Sequence, residues 1–302
     1  MSTSKEIAAK EQTFTPAVEE KKNLPATALE FDDDEAGAGL ENADIESFAI
    51  PFLQIMQKGT PAVDEDKPQY IPGAKAGMLF NSVTRKCYDG KAGIDIIPVY
   101  YERTYIRWGG RKGANPGFKG VLQLEEMDKL KRDPTQVKEI EGKFYAVEKD
   151  GTVDVQKSDY FADTRSHFIY IIDPDTGEYS RALFPLTSSQ VKSSKILMTL
   201  LKEKLVIRKD GKKINPPTYA NVIHVTTTAL SDNQGNTWSG VEFTPIRLLN
   251  GTDAELYTAA KQFHNDVKGN TVPVDYSKSD YNNGAAEEGE TAYDKPKEAK
   301  TF

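Results

Sequence analysis

The sequence predicts a mainly β fold: a decorated OB-like barrel with a few helices and a disordered acidic tail at each end. Three observations lead there. Seven runs, at residues 78–83, 94–108, 143–148, 167–172, 179–184, 219–230 and 237–248, are rich in β-branched and aromatic residues. Turn-forming sequences separate several of them. Only three segments carry a helical pattern, and many short strands with few helices favour a barrel or sandwich.

Taken in order, residues 1–45 combine low hydrophobicity with the run Asp32-Asp33-Asp34-Glu35. Such a segment cannot bury enough apolar area to offset chain entropy, so it is assigned as a disordered acidic arm. Residues 45–58 carry a modest helical pattern interrupted by Pro51. Asp173-Pro174-Asp175-Thr176-Gly177 is a hairpin signal between two strand runs, because Pro presets one turn angle and Gly accepts positive φ. Asp150-Gly151, Asp210-Gly211 and residues 232–236 mark further tight reversals. Residues 187–204 form the strongest helix candidate. Thr187-Ser188-Ser189-Gln190 matches a capping box, and Val191, Ile196, Leu197, Leu200 and Leu201 make an apolar face. A third helix is expected over residues 253–266, with Gly269 after its end. The domain assignment is an arm over 1–45, one β-rich nucleic-acid-binding body over 46–268, and a flexible acidic tail over 269–302.

Charge is unevenly placed. Residues 1–50 hold 4 Lys/Arg against 12 Asp/Glu, residues 51–250 hold 29 against 24, and residues 251–302 hold 6 against 10. A net charge of −7 therefore conceals a mildly basic body between acidic ends. No apolar run reaches the ~18–20 residues of a membrane span. The first residues lack the apolar core of a secretory signal, and the expected location is the cytoplasm of a bacterial host. The single cysteine, Cys87, allows no internal disulfide, and the three His residues are too dispersed for a zinc site.

The densest chemistry lies in residues 99–120, VYYERTYIRWGGRKGANPGFKG, with five aromatic residues, five basic residues and one acid. As a strand, residues 99–108 sort onto two faces. One carries Val99, Tyr101, Arg103, Tyr105 and Arg107; the other carries Tyr100, Glu102, Thr104, Ile106 and Trp108. Rings that stack on unpaired bases, alternating with guanidiniums that pair with phosphates, suit a single-stranded nucleic-acid groove. The loop that follows adds Arg111, Lys112, Phe118 and Lys119 on a glycine-rich, flexible backbone able to close over a phosphate chain. A second basic cluster spans residues 191–213, with Lys192, Lys195 and Lys209 as representative phosphate contacts. The bland alternative is an ordinary strand surface, loop and solvated helix face.

Other motifs carry less. Residues 71–77 contain Gly and Lys without the spacing of a phosphate loop. Asp64-Glu65-Asp66 lacks the EF-hand pattern, and Asp173 and Asp175 are accounted for by their turn, which leaves Asp163 as an isolated metal-ligand candidate. Trp238, Tyr160, Phe161 and Tyr170 suit either stacking or core. No catalytic residue, cofactor or metal is expected.

The chain ends with Glu287, Glu288 and Glu290 and a terminal Phe302. An acidic tail ending in an aromatic residue resembles single-stranded-DNA-binding proteins of bacteria and their viruses. Here Lys295, Lys297 and Lys300 dilute the charge. In the body, Ile50-Pro51-Phe52-Leu53-Gln54, residues 71–77, Arg103 to Trp108, and Phe184 through Gln190 resemble bacteriophage single-stranded-DNA-binding proteins of replication and recombination. The resemblance implies a non-enzymatic, sequence-tolerant binder of single-stranded DNA. Its tail would compete for the basic groove and dock phage replication proteins. It implies no membrane contact and allows a homo-oligomer. The rival expectations are a strand-annealing recombination protein and a virion structural or assembly protein.

Overall fold

A computed structural model describes residues 38–43, 47–48 and 50–276. The chain divides into two units, Met1–Ala43 and Asp44–Phe302. In the first, residues 38–43 form turns, with the Gly39 N–H donating to Glu41. Most of the expected acidic arm, and the expected tail beyond residue 276, lie outside the described residues.

In the second unit, β1 (Leu53–Ile55), β2 (Leu79–Asn81) and β3 (Cys87–Tyr88) form a small antiparallel sheet. The main sheet contains β4 (Ile94–Gly109), β5 (Gly117–Leu122), β6 (Val137–Ile140), β7 (Lys143–Ala146), β8 (Tyr160–Ile172), β9 (Tyr179–Leu186), β12 (Asn221–Ser231) and β13 (Thr237–Leu248). A separate hairpin pairs β10 (Val206–Ile207) with β11 (Lys213–Ile214). The helices are α1 (Leu124–Lys131), α2 (Val191–Glu203) and α3 (Ala254–Lys268). The main sheet runs β13-β12-β4-β8-β7-β6, with β5 on β4 and β9 on β8, and curls into a half-barrel. The fold is thus mainly β, as expected, but the curled sheet does not establish an OB-type topology.

The long pair β4–β8 organises the sheet. It is antiparallel from Asp95↔Ile172 to Trp108↔Tyr160, and its register shifts between Pro98 and Tyr100. Pro98 has no N–H to give the ladder, so Val99 bulges there. The Val99 carbonyl turns outward and accepts from Thr218 Oγ1 at 3.2 Å and His264 Nδ1 at 3.0 Å. Those two donors cover the gap on the β4 edge between β12, which pairs at residues 94–96, and β5, which pairs at residues 105–109.

Both faces of this pair are buried. On one side Ile94, Ile96, Ile169 and Ile171 pack with Leu53, Leu79, Phe184 and, from α2, Leu197 and Leu201. On the other, Ile97, Val99, Ile106 and Phe168 pack with Leu256, Ala260, Phe263 and Val267 of α3. The apolar spacing along α3 predicts this docking. The packed chain continues past α3. Tyr276 is 4% exposed, stacks on Phe118 and shares a 2.9 Å hydrogen bond with Ser166.

Two local expectations fail. The helix expected over residues 45–58 is absent among the described residues. Gln54 and Ile55 are in β1, and Phe52 bridges to Leu183 of β9. Pro51 keeps the preceding residue extended, and burial against β9 outweighs the helical spacing. The capping box at residues 187–190 does not form; a 3-10 turn with Ser188 at φ 49 leads into α2 instead. Conversely, α1 was not expected. It starts where Glu126 Oε2 accepts from the Gln123 N–H at 2.7 Å, and Met127 is its one fully buried anchor.

Phe263 contacts Phe168 and Tyr170 and is fully buried. Phe263→Ala should lower the unfolding free energy by about 3–5 kcal/mol, the usual cost of emptying an aromatic core site. Urea unfolding followed by circular dichroism tests this; a decrease below about 1 kcal/mol would show that α3 does not anchor the sheet.

Candidate nucleic-acid interface

The bulge at Val99 resets which side each later residue of β4 faces. Val99 and Tyr100 both lie in the α3-side core, and Tyr101, Arg103, Tyr105 and Arg107 lie on the opposite face. The expected grouping of Val99 with Tyr101 is therefore corrected. Cross-strand register places His167, Arg165, Asp163 and Phe161 of β8 opposite these four residues in turn.

The cations of this face are paired with carboxylates. Asp163 accepts a two-point contact from Arg103, at 3.0 and 2.8 Å, and a second from Arg165, at 3.0 and 3.0 Å. Arg165 also donates from Nη1 to the Tyr101 hydroxyl at 2.9 Å. Burial by itself pushes the Asp163 carboxyl up, but the hydrogen bonds from Arg103 and Arg165 outweigh it and hold the group below the usual range. Farther along, Arg107 and Lys119 share Asp159. Arg103, Arg107 and Lys119 thus have carboxylate partners, where the sequence had presented them as open phosphate contacts.

The aromatic expectations change more. Tyr105 is 3% exposed, covered by Met127 of α1 with Val137 and Phe161, so it cannot stack on a base. Trp108 and Phe118 pack edge to face and join the α3-side core. Tyr101 is half-buried, against His167. Tyr170 and Phe161 are buried, and Trp238 is half-buried in the β12–β13 hairpin.

The glycine-rich loop is docked, where the sequence suggested a flexible closing loop. The Lys112 N–H donates to Gln156 O at 2.8 Å. A Cβ on Gly110 would lie 2.2 Å from the Lys157 carbonyl oxygen and 2.3 Å from its carbon. The glycine permits this close approach. Lys112 is exposed and Arg111 half-buried on that docked loop.

The second cluster stays open. Lys192 and Lys195 on α2, and Lys209 in the hairpin turn, are exposed, as are Lys202, Lys204, Arg208, Lys212 and Lys213. Arg208 reaches Asp210 at 3.9 Å. Three aliphatic side chains are exposed among them: Ile196, Leu205 and, at 70%, Ile207. Glu287, Glu288, Glu290 and Phe302 lie outside the described residues.

Sequence reading missed Arg165 and Lys131 as members of the β4 face. Period-two alternation in residues 160–172 would have grouped Asp163, Arg165 and His167, but only the β4–β8 register sets them opposite Tyr105, Arg103 and Tyr101. Among the described residues no group of His, Cys, Asp or Glu is arranged to hold a metal. Asp173 and Asp175 both pair with Lys86. No described helix is long and apolar enough to cross a membrane.

A half-barrel flanked by three helices, with ion-paired and open basic surfaces, defines a mainly β protein. The chain belongs to the Pam3 phage gp34-like protein family, whose model matches residues 19–273, and it is a bacteriophage protein. No curated protein and no solved structure matches it.

Two outcomes are expected from this geometry. Gly110→Ala should undock the loop and speed proteolytic cleavage within residues 110–116; an unchanged cleavage rate would mean that the close approach is dispensable. His167 is buried, with Nε2 2.8 Å from Ser194 Oγ of α2. Burial, helped by Arg165, pushes its imidazole from 6.5 down to about 3. Between those values the unfolded chain binds a proton that the folded chain does not. Stability is then complete above pH 6.5 and falls as the pH drops toward 3, by up to about 1.4 kcal/mol per pH unit. His167→Gln should flatten that part of the profile in urea unfolding from pH 7 to 4. The same slope in parent and variant would contradict the assignment.

Proposed function

We propose that this phage protein is a non-enzymatic, sequence-tolerant binder of single-stranded DNA in replication or recombination, and that α2 and the β10–β11 hairpin make its principal phosphate contacts. The observation that carries this reading is the open cluster there: eight exposed Lys/Arg side chains around Ile196, Leu205 and Ile207, against Glu203 and Asp210. Exposed cations supply sequence-independent affinity through counterion release. The aliphatic side chains between them offer unpaired bases an apolar surface, which a duplex with its bases stacked inside cannot use. Among the β4 candidates, Tyr101 keeps partial exposure, and Arg107 and Lys119 together exceed the charge of Asp159. The acidic C-terminal segment completes the proposal by competing for the basic surface and docking replication proteins.

The same three exposed aliphatics favour a second reading, an assembly surface of a virion structural protein, because a protein contact would take their apolar area out of water.

Fluorescence anisotropy with a labelled oligo-dT of ~30 nucleotides, compared with a duplex of equal length, tests the first reading across a salt series. Single-strand binding should exceed duplex binding and weaken with salt. Combined replacement of Lys209, Lys212 and Lys213 by Ala should reduce the salt slope by about 0.7 for each phosphate that is no longer neutralised. No binding at low salt, by the full chain or by one trimmed of its acidic ends, would leave the assembly reading in its place.

A further inference from the structure

The floor of the β4 face holds a node made only of donors. The Tyr105 hydroxyl receives Lys131 Nζ at 2.9 Å and Arg103 Nη2 at 3.4 Å. Neither an ammonium nor a guanidinium can accept a hydrogen bond. The proton of the Tyr105 hydroxyl therefore has no acceptor among the described residues, although Tyr105 is 3% exposed. A buried polar group without its partner is costly, and here two like charges also converge on one oxygen.

The surroundings hold this arrangement in place. Lys131 ends α1 and lies over the Tyr105 and Phe144 rings, 4.5 Å from each centroid. Arg103 is locked by its two-point contact with Asp163, which Arg165 shares. Two guanidiniums thus share one carboxylate, and Lys131 lies beside them on the Tyr105 hydroxyl. The other nearby acid, Asp128, reaches Lys131 only at 3.8 Å and is 62% exposed. Lys131 and Arg103 remain 27% and 35% exposed, so solvent reaches both cations of the node.

We propose that Tyr105, Lys131 and Arg103 form a binding site for a phosphate group. A phosphate oxygen takes the Tyr105 proton, and its charge lies between the ammonium and the guanidinium, which otherwise repel. The N–H groups of Arg103 that remain beyond its Nε and Nη2 contacts with Asp163, together with the Lys131 ammonium, offer several donors to a tetrahedral oxyanion. The site does not require DNA binding at the α2 surface. The phosphate can belong to a nucleic-acid backbone or to a small phosphorylated molecule.

The test uses the full chain and inorganic phosphate. Thermal unfolding is followed as phosphate replaces chloride at constant ionic strength. A saturable rise in the midpoint is expected. Tyr105→Phe removes one oxygen and keeps the ring, and Lys131→Met keeps the stem without the charge. Each should weaken phosphate binding by about tenfold or more, the scale of removing a charge-assisted hydrogen bond. The parent without a saturable response, or both folded variants responding as the parent does, would overturn the site. A second arm identifies the source. Phosphate that displaces labelled oligo-dT over its own saturation range, in the parent but not in Lys131→Met, assigns the site to the backbone. Phosphate that stabilises the protein without displacing the oligonucleotide assigns it to a small phosphorylated molecule.

Discussion

The bulge at Val99 is the constraint on which the other features depend. Pro98 cannot donate to the ladder, one residue is extruded, and side-chain parity along β4 reverses. Before the bulge, Ile94 and Ile96 face the core under α2; after it, Tyr101 through Arg107 take that side in odd steps. The extruded carbonyl then receives Thr218 and His264, which ties the segment before β12 and the middle of α3 to the same point. A regular strand would aim Tyr101, Arg103 and Tyr105 at the α3 core, where guanidinium groups would have no counter-charge.

Charge on the β4–β8 face obeys the same geometry. Arg103 and Arg165 are opposite one another in register, a repulsive pair unless something negative lies between them. Asp163, next on the same face of β8, bridges both. The face becomes a structural element with cations in excess of acids, and a basic residue count along β4 overstates the positive charge open to a ligand. The α2–hairpin region differs because β10 and β11 pair only with each other and leave Ile207 and Lys213 exposed.

Docking of the residue 110–116 loop shows a second consequence of tertiary contact. Glycines that read as flexibility are there because backbone meets backbone at Lys157. The aromatic residues behave likewise. Trp108 and Phe118 of the β4–β5 pair and Tyr276, far away in the chain, form one packed row over the α3-side face.

Much of the fold is legible locally. β13 spans the residues that its composition predicts, the turns at residues 173–177 and 232–236 join the strands they separate, and α3 docks by its apolar stripe, because turn chemistry and side-chain periodicity act within a few residues. The helix expected over residues 45–58 failed because burial against β9, more than a hundred residues away, decides that segment. The candidate site was legible only as composition: rings and cations are concentrated near β4, but their roles depend on partners 26 to 64 residues distant, such as Lys131 for Tyr105, Asp163 for Arg103 and Arg165 for Tyr101. The sequence by itself determined the mainly β class, the positions of the longer strands and several turns, and the presence of two basic segments. Only the tertiary structure decided which cations are neutralised and which rings are buried, because pairing and burial are set by strand register and helix docking between segments far apart in the chain.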